Sequence, residues 1–180
     1  MKKLLLLFIV SVSLVACTSE NKTGEISEDN SKHQMIFENN IKYFEQFLQA
    51  HYEENVQKVA DIMSDTLKWG RANQQRREYS SKKDLLEALK GYYIISDSIK
   101  LIDPYYSSGI RHANDEGILV EYGDNPNNIR VFGTWDGIIA ASGKKQTNKW
   151  FGVIRFNEAG KIIFMDEYFD VSGVINNMQE

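Results

Sequence analysis

The first half of the folded region carries apolar residues at helical spacing. Between residues 34 and 52 they recur at alternating steps of four and three, which places them along one side of a helix. The positions are Phe37, Ile41, Phe44, Leu48 and His51 or Tyr52. We therefore predict a first helix over about residues 34 to 52, and the same period from Val56 to Met63 predicts a second.

A short strand and a third helix follow. Residues 66 to 69 have the composition of a strand. Ser81 and Asp84 have the spacing of a capping box, in which the serine oxygen accepts a free amide of the first turn and the carboxylate favours its positive end. Apolar residues from Leu85 to Tyr93 then predict an amphipathic helix.

After the third helix the pattern becomes that of strands bounded by Gly, Asn or Pro. The predicted strands cover residues 98–106, 118–122, 129–141, 148–156 and 161–169. Three helices followed by a run of strands predict an α+β domain with a largely antiparallel sheet.

Alternation in the last two strands predicts a sheet with two apolar faces. One face of the first carries Trp150, Gly152, Ile154 and Phe156, and one face of the second carries Ile163, Met165, Glu167 and Phe169. The opposite faces include Phe151, Val153, Ile162, Phe164 and Tyr168. Helices on one side would leave the other in water, so we expect a homodimer.

The N-terminus has the pattern of a secretory signal. Lys2 and Lys3 precede an apolar run from Leu4 to Val15 that is too short to span a membrane as a helix. Its end, Leu14-Val15-Ala16-Cys17, resembles the bacterial lipobox, which implies cleavage before Cys17 and acylation of its thiol. The alternative, a buried Cys17 in a core helix, is disfavoured by the lysines and the polar residues around it.

We therefore predict a signal peptide over residues 1–16, a lipidated Cys17 with a flexible tether to residue 33, and one domain over residues 34–180. The predicted partner of Cys17 is a lipid bilayer. Thr18, in place of aspartate, favours the outer membrane by resemblance to sorted lipoproteins, and leaves the face of that membrane open.

Charge and motifs narrow the function classes. The formal net charge is −4, and no stripe of Lys or Arg could neutralise consecutive phosphates, which argues against nucleic-acid binding. No motif for a metal or a nucleotide cofactor occurs, so none is predicted. Cys17 is the only cysteine, which excludes a disulfide within the chain.

The order of elements and several local motifs resemble the SnoaL-like branch of the nuclear transport factor 2 superfamily, over about residues 35 to 172. The residues that carry the resemblance are Trp69, Gly133-Thr134-Trp135, Gly143-Lys144-Lys145, Asn157 to Ile162, and Glu167-Tyr168-Phe169-Asp170. It implies a cystatin-like cone, a curved sheet wrapped around the helices with a pocket at its open end, often dimeric through the outer face. Members include hydrolases, isomerases and cyclases, and also non-catalytic domains.

Glu167 is the candidate catalytic residue. In the limonene epoxide hydrolase type, a carboxylate lies two residues before the Phe of a similar Tyr-Phe-Asp ending, which corresponds to Glu167. That enzyme pairs its acid with an Arg-x-Asp, whereas Thr134 stands two residues before Asp136 here. The alternative for Glu167 is an ion pair with Arg130 or Arg155.

Aromatic residues are the candidate pocket lining. They are Tyr43, Trp69, Tyr92, Trp135 and Trp150, and each has the alternative of being a core residue. His51 is a candidate acid or base near the mouth of the cone, with hydrogen-bonded packing as its alternative. Without the Arg-x-Asp, the expected function is a tethered, non-catalytic module that binds a small apolar ligand or a protein partner. The alternative is a hydrolase, isomerase or cyclase that uses Glu167.

Overall fold

The computed structural model describes residues 28–108, 111–113, 119–121 and 127–179. The predicted signal peptide, Cys17 and the tether up to residue 27 lie outside the described residues. None of the described helices is long and apolar enough to span a membrane.

The first two helices pack together ahead of the sheet. They are α1, Glu28–Tyr52, and α2, Val56–Ile62. α1 begins earlier than the predicted residue 34, in part of the predicted tether, because its first turns are polar and lack the apolar period that marks a buried helix. The Asn55 side chain caps α2 by accepting from the Lys58 amide at 3.0 Å.

The capping box that starts the third helix is confirmed. After β1, Met63–Gly70, the helix α3 covers Lys82–Ile95. The Ser81 side chain accepts from the Asp84 amide at 3.3 Å, and the Asp84 carboxylate accepts from the Ser81 amide at 2.8 Å. This cap fixes the residue at which α3 begins.

A mixed, open five-stranded sheet forms the second half of the fold, in the order β1-β7-β6-β5-β2. Its strands after β1 are β2, Ser96–Ser108; β5, Asn128–Ile139; β6, Lys145–Phe156; and β7, Ile162–Phe169. β3, Arg111–Ala113, and β4, Leu119–Glu121, form a separate pair. Only the β1–β7 pairing is parallel within the five-stranded sheet, so the α+β class with a largely antiparallel sheet is confirmed.

The predicted alternation is correct along β6 and needs one correction in β7. Every second residue of β6 from Trp150 to Phe156 is buried. In β7 the register shifts at Ile163, so that Ile162 pairs with Phe156 while Phe164 pairs with Arg155. Ile162 therefore lies on the inner face, not with Phe164 as predicted, because a bulge places two residues opposite one.

The inner face of the sheet packs against the helices to form one core. Phe44 of α1 and Ile129, Ile154 and Ile162 of the sheet have no exposed surface. A last helix, α4, covers Val171–Gln179 and was not predicted. The Asp170 carboxylate caps it by accepting from the Gly173 amide at 2.9 Å.

Candidate functional site

A cavity of about 240 Å³ lies between the inner face of the sheet and the helices α1, α3 and α4. Seven of its sixteen described lining residues are aromatic. The aromatic lining residues are Phe47, His51, Trp69, Tyr92, Trp135, Trp150 and Phe169. A small, largely apolar cavity with few polar groups has the general character of a small-molecule site.

Glu167 provides the carboxylate of this cavity, and two tryptophans hold it in place. Its Oε2 accepts from Nε1 of Trp69 at 2.7 Å, and its Oε1 accepts from Nε1 of Trp150 at 3.2 Å. The strand pairing explains the arrangement, because Trp69 pairs with Met165 across β1 and β7, and Trp150 pairs with Phe169 across β6 and β7. Both indoles therefore flank Glu167 on the inner face.

Gly152 permits the close approach of Trp150 to Glu167. It pairs with Glu167 across β6 and β7, and a Cβ at this position would lie 2.2 Å from the Trp150 ring. Phe44 stacks near-parallel to Trp150 at 12°, with 6.3 Å between ring centroids. The glycine and Phe44 together fix the ring whose N–H contacts the carboxylate.

The environment of Glu167 favours its protonated form more than water does. Burial is the main cause and raises the pKa of this carboxyl, and the nearby charge of Asp166 raises it further. The two indole donors act in the opposite direction, because they stabilise the carboxylate. The net result is a carboxyl group with a raised pKa and a fixed orientation in an apolar cavity.

Glu167 does not form the ion pair with Arg130 or Arg155 that was the alternative prediction. Arg130 pairs with Val153, on the face of the sheet opposite Glu167. Arg155 lies over the Phe164 ring at 3.9 Å, on that same outer face. Alternation thus separates both guanidinium groups from the cavity.

His51 is a buried, neutral member of the cavity wall. Its side chain is 5% exposed and stacks between Phe47 and Tyr92, with interplanar angles of 15° and 9°. Its Nδ1 is hydrogen-bonded to the Tyr93 hydroxyl at 2.6 Å. Burial lowers the pKa of His51 to about 4, so the imidazole is uncharged near pH 7.

A second polar group lies where α3 meets β2. The Gln146 amide donates to the Ser96 hydroxyl at 2.6 Å, and both side chains are buried. The pKa of Tyr92 is raised, mainly by burial, and the charge of Glu167 contributes to this increase. Gln146 and Tyr92 both line the cavity, so they offer hydrogen-bonding groups to a bound molecule.

Asp136 does not complete an acid pair with Glu167. It is absent from the cavity lining, and its carboxylate binds Nζ of Lys145 at 2.8 Å and accepts from the Thr147 hydroxyl at 2.9 Å. Trp135, the preceding residue in β5, lines the cavity instead. Among the described lining residues, Glu167 is the only carboxylate.

Most of the candidate residues come together, and one does not. Trp69, Tyr92, Trp135, Trp150, His51 and Glu167 line the cavity. Tyr43 does not, because it lies about 100° around α1 from Phe44. Its ring packs on Phe156 and beside Gly160 at the other end of the sheet.

Several lining residues were not singled out from the sequence. Gln146 and Asn148 share a strand face with Trp150, so alternation would have found Asn148, whereas Gln146 precedes the predicted start of the strand at residue 148. Val174 lies in α4, whose short amphipathic pattern was not interpreted as a helix. No group of three metal-ligating side chains occurs within the described ranges.

Comparison with known proteins supports the fold. A candidate polyketide cyclase from Xanthomonas campestris pv. campestris is 12% identical with a TM-score of 0.59, covering 79% of this chain and 98% of its own. A nuclear transport factor 2-like protein from Burkholderia xenovorans is 12% identical with a TM-score of 0.55, covering 77% and 95%. An epoxide hydrolase of the limonene epoxide hydrolase type from Mycobacterium tuberculosis is 16% identical with a TM-score of 0.51, covering 79% and 90%.

No family model and no curated protein matches the sequence. The class defined by the structure is an α+β domain with a cavity between a curved sheet and its helices. This is the cone fold of nuclear transport factor 2-like proteins, as the resemblance predicted. Identities this low establish the fold alone.

Proposed function

We propose that the chain binds a small, mainly apolar molecule in the aromatic cavity, and that Glu167 contacts a polar group of that molecule. The observation that carries the proposal is a carboxylate held by two indole N–H groups inside an aromatic wall. At about 240 Å³ the cavity is below the usual range of about 300–1,000 Å³ for drug-sized ligands, which favours a small molecule.

Acid–base catalysis at Glu167 is the second candidate. The raised pKa of this buried carboxyl favours it, since a general base works best with a pKa near the working pH. The similar structures described above include a candidate cyclase and an epoxide hydrolase. Binding remains the first choice because Asp136, the nearest match to the second acid of a hydrolase, is paired with Lys145 away from the cavity.

The test compares Glu167→Gln with Asp166→Asn in a screen of small apolar alcohols and amines. Compounds that bind should raise the melting temperature of the wild type and lose about tenfold or more in affinity with Glu167→Gln, because an oriented carboxylate is lost. Asp166→Asn should bind as the wild type does, since Asp166 lies on the outer face, where its oxygen accepts from Tyr168.

Each compound is recovered after incubation and analysed by mass spectrometry. Unchanged compound supports a binding protein. A product formed by the wild type and not by Glu167→Gln would establish catalysis instead. Equal affinity for the wild type and Glu167→Gln would contradict a role for Glu167 in either function.

We also propose that Cys17 is the lipidated N-terminus of the mature chain and tethers the cavity domain to the envelope, favouring the outer membrane. The lipobox-like end of the apolar run supports this. Cys17→Ser should move the protein from the membrane fraction to the soluble fraction, because the acyl chains that hold it are lost. Unchanged membrane retention would contradict the assignment.

A homodimer through the outer face of the sheet is the proposed assembly. A row of four aromatic residues, Tyr105, Phe132, Phe151 and Tyr168, crosses β2, β5, β6 and β7 on that face, and Tyr105 is 65% exposed. Phe132→Asp should convert the dimer to a monomer in sedimentation at micromolar concentration. A wild-type chain that is itself a monomer at high micromolar concentration would exclude the dimer.

A further inference from the structure

The charge of Glu167 has no cationic partner in the cavity wall. Neither Lys nor Arg is among the described lining residues, and the donors to Glu167 are the neutral indoles of Trp69 and Trp150. His51 lines the same cavity and is neutral near pH 7 because of its burial. The ionised site therefore carries one negative charge that the described wall does not balance.

Such a charge restricts what the cavity can hold. A buried carboxylate is unfavourable unless it is paired, and replacing water by an apolar molecule would remove more of its solvation. A neutral ligand would therefore bind only if Glu167 were protonated, or would leave the ionised carboxylate buried without a partner. A cationic ligand would instead supply the missing partner.

The walls around Glu167 also suit a cation. Trp135 stands at 71° to Trp150 and at 72° to His51, with ring centroids 5.9 Å and 5.0 Å apart. Rings at right angles form adjacent walls of a box, and the faces of aromatic rings attract a positive charge. The indole N–H edges of Trp69 and Trp150 are already engaged by the carboxylate. Arg71 covers one face of Trp69, 5.5 Å from the ring centroid, and Phe44 stacks on one face of Trp150, so only the opposite face of each ring is left for a ligand.

We propose that the ligand of this cavity is a small organic cation, a protonated or quaternary amine with apolar substituents, whose charge Glu167 balances. The inference rests on the proposed function, since it names the chemical class of the molecule bound there. The volume of about 240 Å³ restricts the class to small amines. The aromatic wall favours substituents that are alkyl or aryl groups.

The experiment uses two pairs of molecules that differ mainly in charge. Choline is compared with its neutral carbon isostere, dimethylbutanol, and phenethylamine is compared with phenethyl alcohol. Affinities are measured by calorimetry with the full mature chain and with the variants Glu167→Gln, Asp166→Asn and Ala88→Phe. Ala88 lines the cavity, so its replacement by phenylalanine serves as the blocking control.

At least one cation should bind the wild type about tenfold or more tightly than its neutral partner. Glu167→Gln should abolish that preference, because the cation should lose more affinity than its neutral partner does. Asp166→Asn should keep the preference, and Ala88→Phe should weaken all binding. If Glu167→Gln does not fold, wild-type affinities are compared across pH: affinity for the cation should fall as acid protonates Glu167, and affinity for the neutral partner should not.

Asp166 and Tyr92 interact electrostatically with Glu167, and His51 lines the same cavity. The Arg71 guanidinium lies over the ring of Trp69, 5.5 Å from its centroid. The Asp166→Asn variant removes the other carboxylate among these groups. The inference would be overturned if the neutral partners bind as tightly as the cations and Ala88→Phe weakens their binding. The proposed function would still hold in that case. Failure of all four molecules to bind, or binding that Ala88→Phe does not affect, would count against both.

Discussion

Replacing Phe44 with alanine should lower the free energy of unfolding by about 3–5 kcal/mol. Phe44 has no exposed surface and contacts the rings of Phe47, Tyr106 and Trp150. Truncation leaves a void between α1 and the sheet, and closely packed interiors relax only partly around such a void. Chemical denaturation of the wild type and the variant at neutral pH measures the difference.

The same substitution should disturb the candidate site, because Phe44 supports the Trp150 ring that donates to Glu167. The matched control is Ile94→Ala in α3, where the side chain is 76% exposed and the change should stay within about 0.5 kcal/mol. A loss below about 1 kcal/mol for Phe44→Ala would show that this ring does not hold the helix against the sheet.

Acidification from pH 6.5 to pH 4 should destabilise the protein through His51 by about 3 kcal/mol. Burial lowers the pKa of this histidine to about 4, so the unfolded chain binds more protons between that value and 6.5. The stabilising contribution is therefore complete above about pH 6.5 and is lost as the pH falls to about 4. The imidazole must charge inside the aromatic wall, and unfolding removes that penalty.

Glu167 acts in the opposite direction over part of this range. Its raised pKa means that the folded state binds more protons above 4.5, so its contribution to stability falls as the pH rises through that window. The difference between the wild type and His51→Gln isolates the histidine, because both chains retain Glu167. His51→Gln keeps a hydrogen-bonding group near Tyr93 and should reduce the loss of stability in acid.

Unfolding in urea at pH 4.0, 5.0 and 6.5 provides the measurement. His33→Gln, in the same helix and outside the core, is the matched control and should retain the wild-type dependence. A His51→Gln chain that loses as much stability in acid as the wild type would contradict a buried, neutral His51.

The parts of the fold that sequence predicted correctly are those with a buried apolar period. The buried face of α1, the cap at Ser81 and the alternation of β6 all follow from local rules that tertiary packing did not override. The first turns of α1 and the helix α4 were missed because an exposed or short helical segment has few apolar residues repeating at helical spacing. The bulge at Ile163 was missed because an extra residue in a strand leaves no mark in composition.

The candidate site was predictable as a set of residue types and not as a set of contacts. Resemblance singled out Glu167, and alternation placed it on a face with Met165 and Phe169. Its hydrogen bonds depend on Trp69, which is 98 residues away in the chain and is brought near by the parallel pairing of β1 with β7. No local pattern encodes that pairing. The ion pair considered as an alternative was wrong for a different reason, because alternation places Arg130 and Arg155 on the outer face of the sheet.

The central claim is that a small molecule binds beside Glu167 in the aromatic cavity, and tryptophan signals test it directly. The chain has three tryptophans, and all three line this cavity. A nitrogen–proton correlation spectrum of ¹⁵N-tryptophan-labelled protein should therefore contain three indole signals that report on the site. A compound that raises the melting temperature should shift the signals of Trp69 and Trp150, whose N–H groups donate to Glu167. A stabilising compound that leaves all three indole signals unmoved would contradict the claim.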